Sequence, residues 1–373
     1  MDCLDYEALC FACRSHALQN FALLVQPDSS AGKSRLKTPI FARVPAFIGG
    51  RLEGLNTASG IGKTGWLICQ PRLSKTDYPA ETLVRINQQR ARQLTDLTQK
   101  LGINILGVGE ADYGGWGDFF KPSFPHTLSE GTAYRAGLVR QLLVGSLRPK
   151  GLPQSQVRVV VTGAGDPLGK ICARVLATQF RKLSLVGITE RDFDFLARQI
   201  IYESGTSVRL ARELNQEFSE TDVLVAADEE PGGGESLVWR DLKVGASVLL
   251  VGSQWVNKLR DLPPLFEINQ LMVSLPRQIR FKSSLLYKAY QSLLQETWPE
   301  WLGKLKQPET LGNGRQLVPA SLAEVILLAS DHSISALSPG NDPGLKLVDQ
   351  MDAAGEKLNF IPQLSKISGA GPG

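Results

Sequence analysis

The chain has 373 residues, of which 43% are hydrophobic and 21% charged, and its formal net charge is +4. That balance is typical of a globular chain of two or three domains, and the scattered basic residues argue against nucleic acid as a partner. No apolar run reaches the roughly 18–20 residues of a membrane span, and the acidic start (Asp2, Asp5, Glu7) is unlike a secretory signal. Five cysteines, an odd number, suit a reducing cytoplasm better than a disulfide framework.

Residues 1–25 read as helical, with a helix from Asp5 to Leu24 that places Cys10 and Cys13 on one side, with His16 close behind and Cys3 nearby. One CxxC without a second pair predicts small apolar helix residues and no metal site. Residues 27–37 read as a polar linker. Residues 44–70 read as strands, ending with the apolar Gly65–Cys69. Leu83, Ile86, Leu94 and Leu97 predict a helix over 79–100, which Gly102 terminates. A strand follows at Ile103–Val108, then a glycine-rich loop over Gly107–Gly117 and a helix over Thr132–Leu147. The expected division is an N-terminal helix and linker (1–43), an N-terminal α/β domain (44–150), a dinucleotide-binding domain (151–280), a C-terminal helical region (281–364) and a disordered tail (365–373).

The most informative stretch begins at Val157. An apolar strand runs into Thr162-Gly163-Ala164-Gly165-Asp166-Pro167-Leu168-Gly169, and a helix opens there. The spacing is GxGxxxG. Gly163 allows a tight turn, Gly165 lets a pyrophosphate approach the backbone, and Gly169 lets helix and strand pack closely. The helix N-terminus then faces the phosphates. Thr162, Gly163, Ala164, Gly165, Leu168 and Gly169 are therefore candidate cofactor-binding residues. Strands follow at Leu183–Thr189, Val208–Leu210, Asp222–Ala227 and Ala246–Gly252, with a helix at Asp192–Glu203. This alternation predicts an α/β fold with a Rossmann-type doubly wound parallel sheet, whose ligand crevice includes Thr162, Thr189, Ala226 and Gly252. At the end of the second strand, Glu190 suits the free ribose of NADH and Arg191 the 2′-phosphate of NADPH. The residues alone leave that choice open. Helical periodicity returns over Leu285–Thr297, Ala320–Ala329 and Gly344–Leu358.

Four stretches, Thr57–Gly65, Leu94–Gly109, Val157–Gly169 and Val348–Pro362, together resemble the cyanobacterial long-chain acyl-[acyl-carrier-protein] reductases. The resemblance covers about residues 57–364, in the same order of elements. Its best local matches are Gln99–Ile105, Thr132 with Arg140-Gln141, Thr189 with Arg191, and Val348–Glu356. The resemblance implies reduction of an acyl thioester to a fatty aldehyde, with NADPH as cofactor and acyl carrier protein as a candidate partner. NADH remains an alternative. It places Ser321, the candidate catalytic residue, where that family holds its acylated cysteine. A serine hydroxyl needs a general base, and no histidine adjoins Ser321 in sequence. Val251-Gly252-Ser253, Leu275-Pro276 and Asp166 also depart from the family pattern. The expectation is an NAD(P)H-binding oxidoreductase-like protein of small-molecule or acyl substrates, without thioester reductase activity. The alternative is a pseudoenzyme that senses a nucleotide or acyl group or assists assembly. In that case Tyr113, Trp116, Phe119, Phe120 and Phe124 form a partner surface, unless they are a lid packed on the domain.

Overall fold

The computed structural model describes residues 20–26, 45–56, 62–70, 79–110, 124, 127–147, 153–211, 214–227, 242–252, 267–276, 280–284, 288, 315–331, 334 and 344–366. The linker 27–37, the cysteines Cys3, Cys10 and Cys13, His16, and all of the expected helix Leu285–Thr297 except Lys288 lie outside these residues. So do Tyr113, Trp116, Phe119 and Phe120. The chain forms two compact units, each built from two segments: 1–131 with 275–341, and 132–274 with 342–373. The linear segments 44–150, 151–280 and 281–364 cross these units.

In the first unit a six-stranded sheet has the order β12-β2-β3-β1-β4-β5. Its strands are β1 (Asn20–Val25), β2 (Phe47–Asn56), β3 (Gly62–Cys69), β4 (Ile103–Glu110), β5 (Thr127–Ser129) and β12 (Arg280–Ser283). β1, β3, β4 and β5 are parallel, whereas β2 is antiparallel to β3 and β12. β1 corrects the expected helix over Asp5–Leu24, because its last five positions are strand. Asn-Phe-Ala-Leu-Leu-Val is a short apolar run with no period of its own, and every residue of it is buried at the centre of the sheet. A doubly covered parallel strand reads as a continuous apolar run, which cannot be told from a buried helix by pattern alone.

Helices cover both faces of this sheet. Ala91 and Leu94 of α1 (Ala80–Lys100) join Ala22, Leu24, Trp66, Ile68, Leu106 and Val108 in one core. On another side of β4, α6 (Ala320–Ser330) comes so near Gly107 that a β-carbon there would overlap the Val325 side chain. Phe124 is buried against the α1 core at 6% exposure. Of the two readings of the aromatic loop, Phe124 follows packing on the domain and not a partner surface.

The second unit carries the sheet path β11-β10-β9-β6-β7-β8, all parallel. Its strands are β6 (Arg158–Thr162), β7 (Lys182–Leu185), β8 (Val208–Leu210), β9 (Val223–Ala226), β10 (Ser247–Leu250) and β11 (Glu267–Leu275). β14 (Ile361–Lys366) adds antiparallel to β11. Helices α3 (Pro167–Ala177), α4 (Glu190–Ser204) and α5 (Leu214–Ser219) follow β6, β7 and β8 in turn. Counted from β6, the strand order is 3-2-1-4-5-6, that of the dinucleotide-binding Rossmann fold, with its switch point between β6 and β9. The expected doubly wound parallel sheet is present. The second strand ends at Leu185 rather than Thr189, and α4 starts at Glu190 rather than Asp192, because Gly187 breaks the strand with a φ of +74° and Thr189 caps the helix. The expected C-terminal helical region also contains the strands β13 (Gln316–Pro319) and β14.

Two more helices, α2 (Thr132–Leu147) and α7 (Leu345–Lys357), complete this unit and pack through reciprocal glycines. Asp352 of α7 fills the space a Gly137 side chain would need, and Tyr134 of α2 fills that of Gly355. The Arg140 guanidinium of α2 donates to Asp349 at 2.8 Å and to Asp352 at 2.7 Å. Burial pushes the Asp352 carboxyl above the usual range, against the opposing hydrogen bonds from Arg140 and Gln141. No helix of the described residues is long and apolar enough to cross a membrane.

Candidate functional site

β6 delivers the chain into the turn at Thr162, which is buried. Gly163 has φ +65°, in the left-handed region that glycine enters without a steric penalty. The Asp166 N–H closes the turn onto the Gly163 carbonyl at 2.9 Å. A β-carbon on Gly169 would overlap that same carbonyl, so both glycines have the roles read from the sequence. Gly165 has a different nearest neighbour. Its N–H donates to the Gly187 carbonyl at 3.0 Å, and a β-carbon there would stand 2.7 Å from that oxygen. The Ala164 N–H likewise donates to Val186 at 2.9 Å. The turn is thus pinned to the chain leaving β7.

These bonds decide which donors are left to meet an anion. Ala164, Gly165 and Asp166 spend their N–H groups within the protein, and Pro167, at the first helical position, has none. Leu168 and Gly169 follow in the first turn, where an N–H has no intrahelical acceptor. Asp166 is the N-cap, but its side chain makes no capping bond.

The other expected crevice residues gather around this turn. Thr162 and Ala226 are opposite each other across β6 and β9. The Ala226 carbonyl accepts from the N–H groups of Val251 and Gly252 at 2.9 and 3.1 Å. Thr189 is the N-cap of α4: its Oγ1 accepts from the Asp192 N–H at 3.2 Å and donates to the Asp192 carboxylate at 2.9 Å. Glu190 and Arg191 are the first two residues of α4, and both are exposed.

Sequence reasoning missed Arg135. This guanidinium of α2 is buried at 6% exposure and donates to the Val251 carbonyl, beyond β10, at 3.4 Å. It also faces Cys172 of α3. Burial pushes that thiol up to about 12, against the lowering influence of Arg135. Cys172 is therefore an inert core thiol.

Ser321 belongs to the first unit. It is a first-turn residue of α6, buried at 2% exposure, and the N-cap is Pro319. One turn along, Glu324 is buried at 3% exposure and accepts a 2.8 Å hydrogen bond from the hydroxyl of Ser129, the last residue of β5. Positions three apart share a helix face, so Ser321 and Glu324 do. A base for Ser321 sought among histidines alone leaves out this carboxylate. Its partner Ser129 is 195 residues distant, so no local signal pointed to it. At the end of β3 in the same unit, Gln70 is fully buried, and neither polar atom of its side chain has a hydrogen-bond partner. Among the described residues no group of His, Cys, Asp and Glu is arranged to hold a metal ion.

No protein-family model and no curated protein matches the sequence. Solved structures give remote likenesses. Quinate dehydrogenase from Corynebacterium glutamicum, in complex with NAD, is 16% identical with TM-score 0.34, over 91% of this chain and 99% of that one. Glutamate dehydrogenase from Thermus thermophilus is 16% identical with TM-score 0.36, over 91% and 73%. A methylenetetrahydrofolate dehydrogenase-cyclohydrolase from Trypanosoma brucei, complexed with NADP, is 17% identical with TM-score 0.29, over 67% and 73%. At these values the fold assignment rests on the chain's own strand order and register.

Proposed function

We propose that this chain is a nicotinamide-dinucleotide-binding, oxidoreductase-like protein. The observation that carries the reading is the glycine turn at the switch point of a sheet with 3-2-1-4-5-6 order. The pyrophosphate would lie at the N-terminus of α3, against the first-turn N–H groups of Leu168 and Gly169, with Thr162, Ala226 and Gly252 around it. NADPH is the preferred cofactor, with Arg191 reaching its 2′-phosphate from the start of α4. The cofactor supplies the hydride; the protein's own residues bind and orient it.

The kinship with acyl-[acyl-carrier-protein] reductases belongs to this proposal, as do an acyl substrate, acyl carrier protein as partner and a cytoplasmic location. Thioester reduction through Ser321 does not. A hydroxyl in the first turn of a buried helix is a poor substitute for a thiolate, and the buried carboxylate on its helix face, Glu324, already accepts from Ser129. Intact-protein mass spectrometry after incubation with a long-chain acyl-CoA should show no adduct. A stable acyl group on Ser321 would restore the thioester mechanism.

A second reading, a nucleotide-sensing pseudoenzyme, is favoured by Asp166. Its carboxylate is at the N-cap without capping the helix, close to where a pyrophosphate would carry its charge. Fluorescence titration with NADPH and NADH tests the shared binding step. Cofactor oxidation with aldehydes then separates the readings: turnover supports the enzyme, and tight binding without turnover supports the sensor. Absence of binding to either cofactor would overturn both.

A further inference from the structure

Among the described residues, three of the large apolar side chains most exposed to solvent lie on one helix. On α4, Tyr202 is 92% exposed, Phe195 74% and Ile201 51%, while Leu196 and Ile200 are its buried side. At 100° per residue, Arg191, Phe195, Arg198 and Tyr202 fall within an arc of about 60°, opposite that buried side. All four are exposed. The acids behind the stripe are engaged elsewhere: Asp192 with Thr189, and Glu203 with Arg174 through bonds of 2.8 and 2.6 Å. Aromatic residues and arginine are the types enriched where proteins dock.

We propose that this stripe is a two-fold interface between two copies of the chain. A two-fold patch must complement itself, and this one does. Along the helix it reads cation, ring, cation, ring; from the other end it reads ring, cation, ring, cation. Two copies of α4 laid antiparallel, with the axis level with Leu196 and Ala197, put Arg191 against the partner's Tyr202 and Arg198 against the partner's Phe195. Each pair occurs twice. A parallel arrangement would instead set arginine on arginine. Guanidinium over a ring is a favourable cation–π geometry, and a stacked guanidinium keeps its in-plane donors, so Arg191 remains available to a phosphate. One helix pair buries less than the roughly 800 Å² per partner of a standard interface, so the dimer is weak and concentration-dependent.

Sedimentation velocity of the full chain over roughly 1–200 µM tests this. The wild type should pass from monomer to dimer. The double variant Phe195→Ala/Tyr202→Ala should raise the dissociation constant more than about tenfold. Both rings face solvent, so its thermal melt should match the wild type. A register test adds specificity. Arg191→Glu/Arg198→Glu and Phe195→Lys/Tyr202→Lys should each be monomeric alone and associate when mixed, because the antiparallel register then pairs every glutamate with a lysine and every ring with an arginine. A wild type that stays monomeric throughout, a dimer indifferent to loss of the two rings, or failure of the mixed variants to associate would each overturn the proposal.

Discussion

Gly169 and Gly145 are both helical glycines, and their surroundings predict opposite outcomes on substitution. A β-carbon on Gly169 overlaps the backbone carbonyl of Gly163, which cannot move without opening the turn. Gly169→Ala should therefore destabilise the fold by about 1–3 kcal/mol, the usual cost of overpacking. Gly145, near the end of α2, has nothing within 4 Å of that position. There alanine only removes backbone freedom from the unfolded chain, and Gly145→Ala should stabilise by about 0.5–1 kcal/mol. Urea unfolding of both variants measures the contrast; equal effects would refute the close approach at Gly169. Gly165 is less informative, because valine there would strike the Gly187 carbonyl whether or not a cofactor uses the site. The cofactor choice is better tested at Arg191. Its removal should cost NADPH about 1.5–3 kcal/mol of affinity, the range of a charge-assisted hydrogen bond, and leave NADH unchanged. If the wild type prefers NADH, Glu190 governs the site instead.

Among elements, the helices were legible: α1 and α7 have a period of their own, whereas α2 and α6, buried on every side over Thr132–Val139 and Ala320–Ala329, have little period and are recognisable by length. The helix expected over Thr132–Leu147 has those same ends, and the helices expected over 79–100, Ala320–Ala329 and Gly344–Leu358 are each present within a residue or so. β1 was not, because its pattern depends on being covered on both faces, a fact of tertiary structure. The candidate site divides in the same way. Gly163 and Gly169 act locally and could be read, whereas Arg135 reaches across 116 residues to Val251. One interaction between elements carries a pH dependence. Asp222 ties the start of β9 to that of β6, accepting from the Arg158 N–H at 2.9 Å and from Lys243 at 2.6 Å. Burial opposes its ionisation, but these bonds and the charges of Lys243 and Arg158 prevail and hold its carboxyl below the ordinary 3.8. A carboxyl with a lower pKa in the folded state stabilises the fold above its unfolded value. That contribution is lost as pH falls through the folded value. Unfolding midpoints measured between about pH 3 and 7 should therefore fall less steeply with acid in Asp222→Asn than in the wild type. An identical acid dependence would remove Asp222 from the account.

At the scale of the molecule, the chain passes between its two units three times, at 131/132, 274/275 and 341/342. Cutting it into linear domains therefore breaks both units. The piece 1–131 has β1, β3, β4, β5 and α1 but lacks α6, whose side chains pack on β1, β4 and β5 and close over Gly107. Without that helix Leu23 and its neighbours on that face are exposed to water, at roughly 25 cal/mol for each Å² of apolar surface. The fragment 1–131 alone should therefore lack a cooperative unfolding transition. The second unit makes the converse test. Joining 132–274 directly to 342–373 through a short Gly/Ser linker keeps the parallel sheet, β14, and the α2–α7 contact through Gly137 and Gly355. It also keeps the Gly163–Gly169 turn and Arg135. This chimera should melt as one transition and bind a nicotinamide dinucleotide with the preference of the full chain. A chimera that folds cooperatively but does not bind, while the full chain does, would show that the cofactor site needs residues of the first unit.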